Sequence, residues 1–180
     1  MIGGSNREIA LFFGKVFGVF VVWYLFYELW LLPDGRLDEF LSVNIVGVSA
    51  GILSVAGFDV FQTFRTLGID GTPGLMIVDG CNGLEAIGLF IGFVVAYPGS
   101  MVKRILFIPA GILAIYLLNI FRIVTLTVLQ SWAPQFFDFA HDYSTSAIFY
   151  LAIFGMWVIW ANYGGEPEPQ VPSGAVPAAG

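Results

Sequence analysis

Two of the side chains that carry much of enzyme chemistry are almost missing from this 180-residue chain, which has one cysteine, Cys81, and one histidine, His141. A single cysteine excludes an internal disulfide, a Cys-x-x-Cys redox couple and a cysteine-rich zinc site. Charge is scarce as well. Asp, Glu, Lys and Arg make up 11% of the residues, where a soluble domain carries roughly a quarter, so a soluble globular domain is excluded. No basic cluster exists to hold nucleic acid, and the net charge of −6 says little else about partners. Nothing in the sequence calls for a cofactor or a metal. What the chain has instead is 58% hydrophobic residues, in runs long enough to span a bilayer at about 20 residues each. The runs are continuous and do not alternate, which excludes a transmembrane β-barrel. The expected fold class is all-α: a polytopic helical integral membrane protein with about four to five transmembrane or re-entrant helices in the lipid bilayer.

The first apolar run, residues 9–32, reads as a membrane helix. It is too long for a removed signal peptide and lacks a small-residue cleavage site. Trp23, Tyr24, Tyr27 and Trp30 suit an interfacial belt, and Arg7 before the run suggests a cytoplasmic N-terminus. Residues 33–40, "PDGRLDEF", read as a short polar turn. Residues 41–58 form a weaker run in which Asn44, Gly47, Gly51 and Ser54 repeat along one helical face. Residues 59–80 are mixed: "IDGTPG" signals a turn, and "VFQTFRTL" and "LMIVD" read as two short strands of a hairpin, although Phe61, Phe64 and Leu67 also fit a helix. Three apolar runs follow, at 82–97, 105–130 and 144–163. Residues 1–163 read as a single membrane-embedded domain, and 164–180 as a disordered Pro-rich tail.

Five crossings would place Lys103 and Arg104 outside, against the positive-inside tendency. If residues 41–58 are interfacial or re-entrant, four crossings satisfy it, residues 33–80 stay outside, and Lys103 and Arg104 lie inside. Arg122 then stands 17 residues (122 − 105) beyond Ile105, about 25 Å up its helix at 1.5 Å per residue. This topology brings Cys81, Arg122 and His141 to the extracytoplasmic face of a cell (inner) membrane.

Each of the three has a plain reading beside a chemical one. A buried cysteine is usually an inert small hydrophobe. Cys81, however, sits where the polar "DGCNG" turns into an apolar helix, and the free amides of a helix start favour an anion such as a thiolate. Glu85, one turn on, opposes that unless it is paired or protonated. Arg122 lies in an otherwise apolar helix, where a charge is costly and is a functional-site hypothesis by default. Its alternatives are a structural pair with Glu85 or snorkelling to the interface. A lone loop histidine more often caps a neighbour, but His141 can act as acid or base, with Asp138 and Asp142 nearby to orient it. Ser144 and Thr145 read as N-cap residues of the last helix. Together the three permit acyl transfer, with Cys as nucleophile, His as acid/base and Arg as electrostatic stabiliser.

The segments "CNGLEAIGLFIGF", "LLNIFRIVTL" and "AHDYSTSAIFY" resemble the exosortase/archaeosortase family, which carries a Cys-x-Gly at a helix start, an Asn-x-x-Arg in the next helix and a His before a further one. Here these are Cys81 and Gly83, Asn119 and Arg122, and His141, over roughly residues 41–163. The resemblance implies a membrane cysteine transpeptidase acting on exported proteins whose C-terminal sorting tail has a short motif, a transmembrane helix and a basic end. The thiolate would form a thioester, and an acceptor would release the trimmed protein. The catalytic residues so implied are Cys81, Arg122 and His141, with Asn119, Gly83, Glu85 and Asp142 in support. The chain is shorter than larger members, lacking several of their N-terminal crossings. Two rivals stand beside this reading. One is a non-catalytic membrane assembly or chaperone subunit with an inert Cys81 and an Arg122–Glu85 pair. The other is a channel or carrier, which the few crossings and lack of repeats disfavour.

Overall fold

The first apolar run does not stop at its sequence-read ends. The computed structural model describes residues 3–165, and in it the run forms a helix over Gly3–Phe26 (α1) that continues through a π-helical turn, Tyr27–Leu31, and a last turn, Leu32–Asp34. It ends at Gly35, whose φ of 65° few other residues adopt and whose N–H donates to the Leu31 carbonyl at 2.9 Å. The Gly35 carbonyl in turn accepts the Glu39 N–H, so a second helix, Arg36–Val55 (α2), begins at once. The polar turn expected over 33–40 is therefore reduced to Gly35 alone: one left-handed residue closes one helix and opens the next. Asp38 and Glu39 become first-turn acids, where the helix dipole favours them. Of the Asn44, Gly47, Gly51, Ser54 stripe, all four are exposed and Asn44 accepts a hydrogen bond from the Tyr116 hydroxyl, whereas Asp38, Ser42, Ile45, Ser49 and Leu53 are buried.

The mixed segment is a three-stranded antiparallel sheet in the order β1 (Val60–Thr63), β2 (Thr66–Ile69), β3 (Leu75–Met76). Val60 pairs with Ile69 and Thr63 with Thr66, so "VFQTFRTL" is itself a hairpin, where one strand had been expected. Its turn, Phe64–Arg65, holds Phe64 at φ 51°, a conformation that gives no glycine or asparagine signal in the sequence. The "IDGTPG" turn stands as read, with the Thr72 N–H donating to the Ile69 carbonyl at 2.9 Å.

The run at 82–97 yields only Leu84–Ala96 (α3), about 20 Å of helix. Gly83 at φ 86° holds the entry out of the helix, and the exit is extended at Tyr97, as the following Pro98 demands. Among the described residues, four helical stretches are long and apolar enough to cross a membrane: Phe13–Asp34, Arg36–Val55, Met101–Trp132 and Pro134–Tyr163. The short helix is thus α3 and not the run at 41–58. Met101–Trp132 (α4) has 32 residues and is about 48 Å long, well beyond a hydrocarbon core of about 30 Å. After it come short turns at Pro134–Phe136, Phe137–Phe139 and Ala140–Ser144, then Thr145–Tyr163 (α5). The last helix starts where expected, but the side chains of Ser144 and Thr145 lie outside the described residues, as does the tail beyond 165.

α3 packs against α1, α4 and α5, and α2 packs on α4 and the sheet. The α4 helix serves two cores. Its Ile120 and Ile123 meet Ile45, Leu53, Leu67 and Ile77, whereas its Ile115 meets Phe90, Val94, Phe149 and Trp160. Backbones approach closely where glycine permits it. A Cβ on Gly88 would lie 2.0 Å from Trp23 Cε2, and one on Gly111 would lie 2.1 Å from Phe90 Cζ. At one end of the bundle, Lys103 Nζ donates to the Tyr163 and Gly165 carbonyls, Arg104 donates to the carbonyls of Val94 and Tyr97, and the Ser100 N–H donates to Gly164. The last carbonyls of α3 and α5 are thereby satisfied from the start of α4.

Candidate active site

Cys81 closes a tight turn, its N–H donating to the Val78 carbonyl at 3.0 Å. It lies three residues before α3 and is half-buried against the core of Ile45, Ile77 and Ile120. The amide of Leu84, one of the free amides expected at this helix start, is taken by Asn82 Oδ1 at 3.0 Å. A left-handed backbone at Gly83 makes that turn possible. A Cβ there would also come within 3.4 Å of Asn119 Nδ2.

The turn is held from three sides. Asn119, wholly buried on α4, donates through Nδ2 to the Cys81 carbonyl at 3.2 Å. Asn82 donates to Asp38 on α2 at 2.6 Å. Arg65, in the β1–β2 turn, bonds Asp79 at 2.5 Å and Ser42 at 2.9 Å. Asp38 and Arg65 were missed by the sequence reading. The only available signal was that each is a charged residue close to an apolar run.

Arg122 stands one turn above Asn119 on α4, half-buried. Its guanidinium carbon lies 5.9 Å from the centre of the Phe149 ring, within cation–π range. Its Nε is buried without a hydrogen-bond partner. Among the described residues no carboxylate pairs with Arg122, so the structural pair with Glu85 is not formed. Glu85 projects beside Gly80, whose Cβ, if present, would lie 3.4 Å from Glu85 Oε1. His141 lies in the π-helical turn before α5, with Nδ1 2.8 Å from Asp142 Oδ1 and its ring stacked on Phe137 at 5.9 Å.

These side chains meet at one cavity of about 970 Å³, lined by Cys81, Gly83, Glu85, Arg122, His141 and Asp142. The rest of its wall is mostly apolar and comes from α1, α3 and α5, Phe17, Trp23, Leu89 and Trp157 among it. Asn119 stands behind this wall. Asp138, the other acid considered beside His141, is not on it. Lys103 and Arg104 lie at the opposite end of α4 from Arg122, at the far end of the bundle from Cys81 and His141. A thiol, a guanidinium and an imidazole–carboxylate pair therefore line one largely apolar cavity.

A family model described as transmembrane exosortase (Exosortase_EpsH) matches residues 8–158. No curated protein and no solved structure matches the chain significantly.

Proposed function

The chain belongs to the transmembrane exosortase family, and on that premise we propose that it is a membrane cysteine transpeptidase that trims the C-terminal sorting tail of exported proteins. The observation that carries this is the meeting of Cys81, Arg122 and His141, from three separate segments, on one cavity wall. In the first step the Cys81 thiolate adds to the scissile carbonyl carbon, forming a C–S bond and an oxyanion. Arg122, with no carboxylate of its own to hold, is available to stabilise that oxyanion. His141, held by Asp142, gives a proton to the departing amine as the C–N bond breaks, leaving a thioester. An acceptor nucleophile then loses its proton to His141 and attacks the thioester, and the thiolate leaves. The apolar walls from α1, α3 and α5 suit the membrane segment of the tail. Positive-inside orientation assigns the Lys103–Arg104 end to the cytoplasm, which turns the cavity end outward, where exported substrates arrive.

The lack of an Arg122–Glu85 pair weighs against the rival in which both serve only assembly. With a tail-bearing precursor, hydroxylamine is expected to release trimmed product from the wild type but not from Cys81→Ala or Cys81→Ser. Continued processing by Cys81→Ala would overturn the proposal.

A further inference from the structure

The turn that carries Cys81 hangs from a residue the sequence reading assigned to a polar turn, and the geometry points to Asp38 as a positioning residue for the nucleophile. This deepens the proposed function and rests on its reading of Cys81. Asp38 is 0% exposed in the first turn of α2. Its Oδ1 accepts from Asn82 Nδ2 at 2.6 Å, and its backbone carbonyl lies 3.4 Å from the same nitrogen. With Nδ2 committed to Asp38, Oδ1 of Asn82 faces the other way and accepts the Leu84 N–H. The relay from Asp38 through Asn82 to Leu84 fixes the residue after Cys81 and the first amide of α3. Asn119 holds the Cys81 carbonyl from the other side, so the backbone of the nucleophile is gripped between α2 and α4.

An asparagine can cap a helix with no carboxylate behind it. Here the carboxylate decides which way the amide points. Asp38 Oδ1 accepts in this contact and so takes the NH2 group of Asn82, and a flipped Asn82 would set its NH2 against the Leu84 N–H, donor against donor. The arrangement is costly in isolation, because Asp38 Oδ2 is buried with no hydrogen-bond partner and no cation within salt-bridge distance among the described residues.

Because the chain has one thiol, alkylation by N-ethylmaleimide reports on Cys81 alone. Membrane preparations of D38A, N82A, the double variant and D38N are compared by alkylation rate and by hydrogen exchange of the peptide spanning 78–86. D38A and N82A are each expected to speed exchange in that peptide tenfold or more and to move the alkylation rate at least fivefold, with α4 and α5 keeping their protection. The double variant is expected to match either single one. D38N retains an oxygen for Asn82, so it is expected to exchange and alkylate as the wild type does. Wild-type behaviour of D38A and N82A overturns the inference. So does a D38N variant as loose as D38A, since acceptor geometry would then not be what holds the turn. Neither readout needs turnover, so processing that survives in C81A sinks the proposed function and leaves this result standing.

Discussion

Replacing Arg122 separates a chemical role from a structural one, because the structure fixes what each predicts. If Arg122 were half of a buried ion pair, Arg122→Ala would strand the other charge at a cost of about 3–5 kcal/mol. For a chain of this length that lowers Tm by roughly 6–20 °C, at about 2–4 °C per kcal/mol. No carboxylate pairs with Arg122 among the described residues, and its main contact is the Phe149 ring at 5.9 Å, a cation–π contact worth about 0.5–2 kcal/mol. The expected loss of stability is therefore about 1–8 °C. The loss of activity is larger: removing one oxyanion donor costs roughly 100- to 1,000-fold in kcat, or about 2.7–4 kcal/mol. Arg122→Lys keeps the charge but loses the planar fork, so it should fall nearly as far. The assay pairs single-turnover cleavage of a tail-bearing precursor with thermal unfolding in detergent for wild type, Ala and Lys. Full activity in the Lys variant would reduce Arg122 to a generic countercharge, and a Tm loss beyond about 8 °C in the Ala variant, the most a cation–π contact can supply, would refute the unpaired geometry.

The other predictions follow from particular contacts. Gly111→Ala should destabilise by about 1–3 kcal/mol, because its Cβ meets three atoms of the buried Phe90 ring within 3 Å; Gly155→Ala, with nothing within 4 Å, should be neutral or stabilising by up to about 1 kcal/mol, and thermal unfolding compares the two. His141→Ala should block cleavage while crosslinking still detects bound precursor, and loss of capture would assign His141 to binding instead. Glu85→Gln should speed alkylation of Cys81 at fixed pH, since it removes a negative charge from beside Gly80 that disfavours a thiolate; an unchanged rate would show that the carboxylate does not act on the thiol. Reporter fusions after Gly99 should read cytoplasmic, and those near Thr72 and Gln135 external. A cytoplasmic reading at Thr72 would refute the orientation.

Cys81, Arg122 and His141 were legible because each is rare in so apolar a chain, and helix rise plus charge parity suffices to bring them to one end. Asn119 was found through the Asn-x-x-Arg resemblance alone. Nothing local marks its hold on the Cys81 carbonyl. Asp38 and Arg65 were illegible for a different reason. A charged residue beside Pro33 and Gly35 has the pattern of a solvated turn, and its burial arises only when α2 folds back so that Asp38 meets Asn82, 44 positions away. Periodicity carries no information about such a contact. The β1–β2 hairpin escaped because Phe64 takes a left-handed backbone with no residue to announce it. The shortness of α3 escaped because hydropathy cannot see that Gly83 and Pro98 draw the flanking apolar residues out of the helix.

Under the proposed orientation, the grip of Lys103 and Arg104 on the last carbonyls of α3 and α5 joins two stages of biogenesis in one pair of residues. The charges that an insertion machinery weighs in choosing which loop stays behind are the same ones that later latch three helices together. Orientation and assembly therefore cannot be re-engineered independently at this loop. Moving the two charges to the other side to invert the chain would also undo the latch, so an inverted protein would be expected to splay open at its own basic end. A chain inserted the right way up carries its fastener already in place, before the last helix has arrived to be fastened.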